Sequence, residues 1–474
     1  MSARPTEPLG ARWSRAVVSV LVTVAVAIMM SWAAGSAAAA PAAVTPGPGA
    51  VLADPPAAVR VVMSSPVEPA LARARVEGPG GASSSVVRAG DADPEALVIP
   101  VPQDGMGTYA VAWSGLTRDG HPFAGQSTFA VGTATPVAAA VAPEGGDGTG
   151  PPGIIARFLV LVGALGTAGL AFGLAWVVGG ALRSGGIAPP GVGGAERLRA
   201  AAQAAAAAPS RRLWATWWAL LAVWVGGLAL ALPVQAAAVG GEWADLLWGS
   251  RWGTAWVGLA VLSVAAAAAG IVVRGGDPTA ALRSPRMYAL AVPGIAAAVI
   301  MSWSGHAGSG TDAGLGVAID SVHGWATAAW LGGLVMLLVF ALPLLGAMAR
   351  DARVRLGAGI LVRFSSLAIA AVVVLVITGV YRALAELPTL SALWTSGYGM
   401  ALLVKMGIFA VMLGMALWNR LVLHPRLERA ALGVLPPGKG DGLPALRASV
   451  RGEVVLAGLV MAAVAVLVGI PPPV

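Results

Sequence analysis

The chain of 474 residues contains no cysteine, and only 11% of its residues are charged. The absence of cysteine excludes disulfides, thiolate metal sites and iron–sulfur clusters. Any bound metal would therefore need His, Met, Asp, Glu or backbone ligands, and the sequence offers four histidines. A soluble domain carries about twice this share of charge. With 57% hydrophobic residues and a mean hydropathy of +0.79, the composition predicts a polytopic membrane protein.

Nucleotide-binding motifs are also missing. The sequence has no GxxxxGK[ST] loop and no aspartyl-phosphorylation motif, so primary pumping by this chain is not expected. The net charge of +8 would suggest a nucleic-acid partner in a soluble chain. Here the basic residues lie mostly between apolar runs, as the positive-inside rule expects. The predicted partner is therefore the lipid bilayer and not nucleic acid.

The amino-terminal third divides into four segments. Residues 1–40 place three arginines before an apolar core and a run of small residues, which predicts a signal peptide cleaved near Ala39 or an uncleaved anchor helix. Residues 41–58 are rich in Pro and Ala and are predicted to be a linker. Residues 59–133 hold short alternating apolar runs with turn signals between them, which predicts a small exported all-β sandwich. Residues 134–153 are predicted to be a second linker.

The remaining residues, 154–470, predict a bundle of eight membrane-spanning helices. The predicted spans are 154–182, 213–239, 252–273, 286–304, 317–346, 363–384, 399–423 and 450–470. The loops after the odd-numbered spans carry many arginines, whereas the alternate loops offer only Arg251 and Arg382. This asymmetry predicts a protein of the cytoplasmic membrane whose amino-terminal domain and carboxyl terminus are both outside.

Two spans carry ionisable residues at a similar predicted depth. Asp320, His323 and Trp330 share one face of the fifth span, and Lys405 lies five or six residues into the seventh. Ionisable groups at membrane depth are costly, so these residues are candidates for a functional site. The alternatives are a histidine that only bonds across the bundle and a lysine that extends to the interface. Asp320 is a candidate to fix the tautomer of His323.

Further candidate ligands lie in the same outer half of the bundle. His306 follows the fourth span, with Met301 one or two turns inward, and Met400 and Met406 flank Lys405. Thioether and imidazole ligands suit copper, particularly Cu(I), better than hard cations. Methionine is also common packing in apolar helices, and His306 could equally be an exposed loop residue.

One turn of the exported domain displays a carboxylate and an imidazole together. The stretch GTYAVAWSGLTRDGHPFAGQSTFAV places Asp119 and His121 between two predicted strands. Two ligands in a turn are a weak metal signal, because Asp-Gly also suits hairpin geometry. Met63 and Met106 are further thioethers of this domain without a spacing that requires a metal.

These stretches resemble a known pair of modules. TYAVAWSGLTRDGHPFAG is similar to the last strands of the CopC copper-resistance domain, a periplasmic β-sandwich that binds copper. His323 followed by WLGGL, then RFSSLAIAAVVVLVITGVY and LSALWTSGYGMALLVKMGIFAVMLGMALWNR, resemble CopD, its inner-membrane partner. The resemblance implies a CopC/CopD fusion that moves copper inward across the cytoplasmic membrane. It departs from the Cu(II)-type CopC pattern in AAVRVVMSSPVEP, which lacks the histidine expected before SSxP.

The leading hypothesis is therefore a non-enzymatic copper permease that takes Cu(I) or Cu(II) through a His/Met-lined site, with a periplasmic or cytoplasmic copper carrier as a partner. The alternative is a haem-binding or redox protein. His323 and Lys405 are similar to the histidine and lysine that serve haem chemistry in the HemJ-type protoporphyrinogen oxidase, and one axial imidazole needs no second histidine. A scaffold whose outer module binds another protein is the third possibility.

Overall fold

The computed structural model of the chain describes residues 41–85, 88–90, 93–134, 150–186, 194–240, 242–274, 284–309, 312–423, 425, 429 and 442–473. The predicted signal peptide or anchor at 1–40 lies outside the described residues, as does His424 at the predicted end of the seventh span. Most of the predicted second linker, from 135 to 149, also lies outside them.

The amino-terminal domain is a sandwich of two mainly antiparallel sheets. Its strands are β1 (Pro41–Thr45), β2 (Val51–Leu52), β3 (Ala58–Met63), β4 (Arg73–Glu77), β5 (Ser83–Ser84), β6 (Arg88–Gly90), β7 (Asp93–Pro100), β8 (Gly107–Leu116) and β9 (Pro122–Val131). One sheet has the order β1-β3-β7-β6 and the other the order β2-β9-β8-β4-β5. The predicted all-β domain is thereby confirmed.

The longest pair of strands, β8 and β9, forms because apolar residues alternate along both. Tyr109, Val111 and Trp113 point into the core, and the ladder runs without a break from Gly107–Val131 to Leu116–Pro122. The rings of Tyr109 and Phe129 stack across the strands with centroids 5.1 Å apart, and aromatic pairs of this kind stabilise a ladder beyond their buried area.

The predicted linker at 41–58 is wrong for the residues that form β1 and β2. β1 pairs with β3 from Pro41–Met63 to Thr45–Arg60, and β2 pairs with the end of β9. The side chains of Val44 and Leu52 pack against the sandwich core. The Pro- and Ala-rich composition concealed these strands because both lie at sheet edges, where few side chains need to be apolar.

The rest of the chain is helical, and eight of the described helices are long and apolar enough to cross a membrane. These spans are Gly150–Ser184, Ala207–Val239, Arg251–Arg274, Arg286–Ser304, Ala313–Ala347, Arg350–Glu386, Gly397–Val422 and Leu443–Leu467. Each overlaps one predicted span, although the sixth begins thirteen residues earlier than the prediction of 363. The prediction of eight spans is confirmed.

The first and fifth spans form the centre of the bundle and cross at glycines. A Cβ on Gly169 would lie 1.8 Å from the carbonyl oxygen of Ala328, and a Cβ on Gly332 would lie 2.4 Å from Gly169. Close approach through small residues is a main source of packing energy between membrane helices, where no hydrophobic effect drives association. This crossing fixes the fifth span, which carries Asp320 and His323, in the interior of the bundle.

Candidate metal centre between the two domains

The β8–β9 turn presents two side chains that were predicted as ligands. Thr117 N–H donates to the carbonyl of His121, and Gly120 N–H donates to the carbonyl of Thr117, which closes the turn. Gly120 has φ +85, in the left-handed region that favours glycine, and the indole of Trp252 packs against it. Asp119 and His121 are both buried in this turn, so the turn is tightly fixed.

The membrane domain adds His306 to the same place. His306 begins a short 3₁₀ turn after the fourth span, and its Nδ1 lies 2.7 Å from Oδ2 of Asp119. Its ring stacks on that of His121 with centroids 4.8 Å apart and planes 4° apart. Asp119, His121 and His306 each offer one ligand atom, and these atoms lie within 4.8 Å of one another.

The distances fit a single ion with a small closing movement. Metal–nitrogen bonds of about 2 Å place ligands on opposite sides of an ion about 4 Å apart, so the widest pair needs to approach by less than an ångström. Nε2 of His306 is buried and makes no hydrogen bond within the described part of the chain. A buried imidazole nitrogen without a partner is unfavourable, and a metal ion would satisfy it.

The carboxylate of Asp119 organises this cluster. Its Oδ2 accepts a hydrogen bond from Ser65 at 2.9 Å as well as the bond from His306, and its Oδ1 accepts one from Thr117. Burial alone would raise the pKa of Asp119, but the hydrogen bond from His306, the charges of both histidines and the bond from Thr117 hold it well below its usual range. Asp119 is therefore ionised and able to orient His306 or to bind a cation.

The pKa values of the two histidines shift in opposite directions. Burial lowers the pKa of His121 to about 3, against the attraction of Asp119, so at neutral pH the ring is in the neutral form that binds metals. Burial also acts to lower the pKa of His306, but the hydrogen bond to Asp119 and its charge outweigh burial and raise it. A metal ion at this centre would therefore compete with protons for His306 more than for His121.

Arg251 ties the sandwich to the turn that carries His306. Its backbone N–H, at the amino end of the third span, donates to Oε1 of Glu68 from the sandwich at 2.9 Å, an arrangement that the helix dipole favours. Its guanidinium donates to the carbonyl of Gly308 at 2.7 Å and lies 4.5 Å from the ring centroid of Trp303. Gln235 of the second span adds a buried bond to the carbonyl of Gly120 at 3.0 Å. The ligands of the two domains are thus held in register.

His323 belongs to a second polar cluster inside the bundle. Its Nδ1 lies 2.8 Å from the hydroxyl of Thr378 in the sixth span, and that hydroxyl donates its own proton to the carbonyl of Val374 at 2.6 Å. The hydroxyl must therefore accept from Nδ1–H, which leaves Nε2 of His323 unprotonated and available to a metal ion or another donor.

Charged side chains from three spans surround this histidine. Oδ1 of Asp320 lies 3.7 Å from Nε of Arg382. Arg382 also forms an ion pair with Glu386, one turn further along the sixth span. Lys405 of the seventh span is within electrostatic range of His323, Asp320 and Glu386. The structure thus brings Asp320, His323 and Lys405 together, as the sequence analysis expected. We call Asp320, His323, Thr378, Arg382, Glu386 and Lys405 the intramembrane cluster.

The two sites share charged neighbours. Arg382 and Glu386 are within electrostatic range of His306, and Arg382 is also within range of His323. The direct partners of His306 are in the sandwich, and its role as an outer relay to His323 stays a prediction.

The methionines take a different position. Met301 is partly buried among apolar side chains of the bundle, whereas Met400 and Met406 expose 38% and 54% of their surface on the seventh span. Met63 is a buried core residue of the sandwich, and Met106 is exposed at 75%. Thioether ligation by any of them stays a prediction, and their surroundings resemble ordinary packing or lipid-facing positions.

Several site residues were not singled out from the sequence. Arg382 was counted with an outward loop although it falls near the end of the predicted span 363–384, and Glu386 lies just beyond that span; the helix continues through both. Thr378 gives no signal in a run of apolar residues. Glu68 follows SSP in the stretch that was compared with the CopC pattern. Its place next to predicted strands was the one feature of the sequence that could have indicated a role.

Each of the two parts of the chain is similar to known proteins. Residues 42–132 match the CopC domain, and residues 358–467 match copper resistance protein D. A copper resistance protein D from Pseudomonas syringae pv. tomato is 28% identical over 223 residues, which cover 45% of this chain and 69% of that protein.

Two solved structures are similar to the amino-terminal part. CopC from Methylosinus trichosporium OB3b is 22% identical with a TM-score of 0.19, and the match covers 21% of this chain and 99% of that one. PcoC, a methionine-rich copper resistance protein from Escherichia coli, is 25% identical with a TM-score of 0.18, and the match covers 20% of this chain and 99% of that one.

The chain thus combines an amino-terminal β-sandwich with eight candidate membrane spans, and a stretch of each part matches a copper-resistance family model. The chain carries a CopC domain followed by a CopD domain. These families support a role in copper handling. The CopD match includes Thr378, Arg382, Glu386 and Lys405 of the intramembrane cluster.

Proposed function

We propose that this protein takes copper ions from the outer face of the cytoplasmic membrane and passes them inward. The observation that supports this most is the interdomain centre, where Asp119 and His121 of the CopC domain meet His306 of the membrane domain. A metal ion bound there touches both domains at once. The CopC domain would then serve as the receiving part of the transporter, and His306 would take the place of the histidine missing before SSP.

The intramembrane cluster is the proposed next site. Nε2 of His323 offers a ligand, and Asp320 and Glu386 offer negative charge that offsets Arg382 and Lys405. Because ionisable groups in a membrane interior are rare and usually mark ion pathways, this cluster is a suitable relay for a cation. Arg382 is within electrostatic range of both histidines, and its positive charge would have to be offset or move aside as the ion passes.

The driving force needs no nucleotide. In the orientation predicted from the loop arginines, the sandwich lies outside and the ion moves towards a negative interior. A membrane potential supplies about 2.3 kcal/mol per elementary charge for each 100 mV. A carrier on the inner side that binds copper tightly would add to this, and such a carrier is part of the proposal.

Copper uptake into proteoliposomes tests the function. Purified protein is reconstituted with an inside-negative potential, and uptake of copper is compared for the natural sequence, His306→Ala, His323→Ala and the control Thr395→Val. We expect both histidine variants to lose most uptake and the control to retain it, because Thr395 is exposed and its hydroxyl bonds the carbonyl of Ser391, away from both sites. Uptake by His306→Ala and His323→Ala equal to that of the natural sequence would contradict the proposal.

The same preparations decide between copper and haem. His323 and Lys405 do lie in one cluster, which is the arrangement that the haem alternative requires. A Soret band in the natural sequence after haem feeding that disappears in His323→Ala would favour the alternative. Copper bound under reducing or oxidising conditions, with no Soret band, would favour the permease and identify the oxidation state.

A further inference from the structure

A cavity of about 700 Å³ opens at the end of the bundle opposite to the sandwich. The direction is given by the second span, whose Gln235 contacts the sandwich while Arg212, near its other end, lines the cavity. Four spans contribute to the walls. The basic residues of the lining are Arg212, Arg353, Arg447 and Arg451.

The lining carries positive charge and no described acidic residue. Arg212 comes from the second span, Arg353 from the sixth, and Arg447 and Arg451 from the eighth. Arg447 also donates to the carbonyl of Leu342 at 3.3 Å, which fixes its guanidinium at the rim of the fifth span. Loop arginines that only set membrane orientation need no common direction, whereas these converge on one space.

The depth of the cavity matches that of lipid headgroups. Arg212 directly precedes the apolar part of the second span, and Arg447 and Arg451 lie in the first turns of the eighth. Prolines 209, 343 and 444 form part of the wall, so the backbone there is rigid. One guanidinium group can donate two hydrogen bonds to two oxygens of the same phosphate, and it stays charged at any physiological pH.

We infer that this cavity binds a phosphate-bearing anion, whose two available sources are the headgroup of an anionic membrane lipid and free phosphate. Basic pockets between membrane helices are recognised sites for anionic headgroups. A bound headgroup would link the second, fifth, sixth and eighth spans at the end of the bundle far from the metal centre. The inference is independent of copper transport.

Binding to the purified full chain tests the inference. The protein is delipidated in detergent and titrated separately with phosphatidylglycerol, phosphatidylcholine and inorganic phosphate, and binding is followed by native mass spectrometry and by the rise in unfolding temperature. The test variant is Arg447→Gln/Arg451→Gln. The control is Arg286→Gln/Arg420→Gln, which removes two exposed arginines at the same end of the bundle that do not line the cavity.

We expect the test variant to bind phosphatidylglycerol about thirtyfold more weakly than the natural sequence, since each of the two basic residues near an anionic surface contributes about fivefold, and the control to bind normally. A selective response to phosphatidylglycerol identifies lipid as the source, and a selective response to inorganic phosphate identifies the free anion. Arg447→Lys/Arg451→Lys retains the charge and covers the case in which the glutamine variant does not fold. Equal binding of all three ligands, or equal losses in test and control, would overturn the inference.

Discussion

At the residue scale, Asp119 is the side chain on which we expect metal binding at the interdomain centre to depend most. One carboxylate accepts hydrogen bonds from Ser65, Thr117 and His306. Asparagine has nearly the same shape, but its amide nitrogen cannot accept a hydrogen bond and its negative charge is lost. Replacing Asp119 by asparagine therefore tests the charge and the hydrogen bonds of the side chain without changing its size.

We predict that Asp119→Asn weakens copper binding at the interdomain centre by about 10- to 100-fold, the range typical of lost groups that orient metal ligands. Equilibrium dialysis against a chromogenic copper chelator measures the affinity. Asp93→Asn is the matched control, because Asp93 pairs with Arg60 on the exposed side of the same domain. An Asp119→Asn protein with natural affinity would show that the carboxylate neither binds the ion nor orients His306.

A second residue-scale prediction concerns the tautomer of His323. Thr378→Val keeps the side-chain shape and removes the acceptor for Nδ1–H, so Nε2 is no longer selected as the unprotonated nitrogen. We expect copper uptake to fall about tenfold or more with little change in folding. Thr395→Val removes an exposed hydroxyl bound only to the carbonyl of Ser391, and its uptake should be natural. If both variants transport equally well, Thr378 has no positioning role.

At the element scale, the crossing of the first and fifth spans should tolerate no side chain. Gly169→Ala places a methyl group 1.8 Å from the carbonyl oxygen of Ala328, so the two helices must separate. We expect a large loss of folded protein, measured as the monodisperse fraction in fluorescence-detected size exclusion and as a lower unfolding temperature. Gly407→Ala is the control, because no atom lies within 4 Å of the added Cβ.

The control should be slightly more stable than the natural sequence, by about 0.5–1 kcal/mol, since alanine loses less backbone freedom in a helix than glycine does. Equal stability of Gly169→Ala and Gly407→Ala would show that the first and fifth spans do not pack at this crossing.

The elements themselves were largely predictable from the sequence, because long apolar runs and alternating strands each have a strong periodic signal. β1 and β2 were missed, since edge strands rich in Pro and Ala lack that signal. The sixth span was predicted as 363–384, and it extends past both limits to Arg350 and Glu386. Arg382 and Glu386 look like loop residues in isolation, yet they form an i,i+4 ion pair that satisfies both charges on a continuing helix.

At the scale of the whole molecule, all three candidate ligands of the interdomain centre were predicted from the sequence, but their proximity was not. Asp119 and His306 are separated by 187 positions along the chain. Their meeting depends on how the sandwich docks on the spans, and docking surfaces have no periodicity to reveal them. The proximity of His323 and Lys405 was predicted from their similar depth alone. Depth can be compared between spans because all of them cross the same bilayer.

Docking of the two domains should therefore control copper affinity even where no ligand is changed. Glu68 bonds the amino end of the third span and Gln235 bonds the carbonyl of Gly120, while Leu71 and Leu116 of the sandwich pack with Val239 and Leu246 of the membrane domain. We expect removal of these two anchors to loosen His306 from Asp119 and His121. Of the described polar bonds that dock the domains away from the metal centre, only the one from Arg73 to the carbonyl of Gly240 would then remain beside the apolar contacts.

We predict that Glu68→Ala/Gln235→Ala lowers copper affinity at the interdomain centre nearly as much as His306→Ala does, and that combining all three changes lowers it little further. Such non-additivity is expected when changes act on one interaction. Chelator competition on the protein in lipid nanodiscs measures the affinity. Losses that add fully would mean that the anchors act on copper by a route other than His306, and natural affinity in the anchor variant would mean that the centre does not depend on docking.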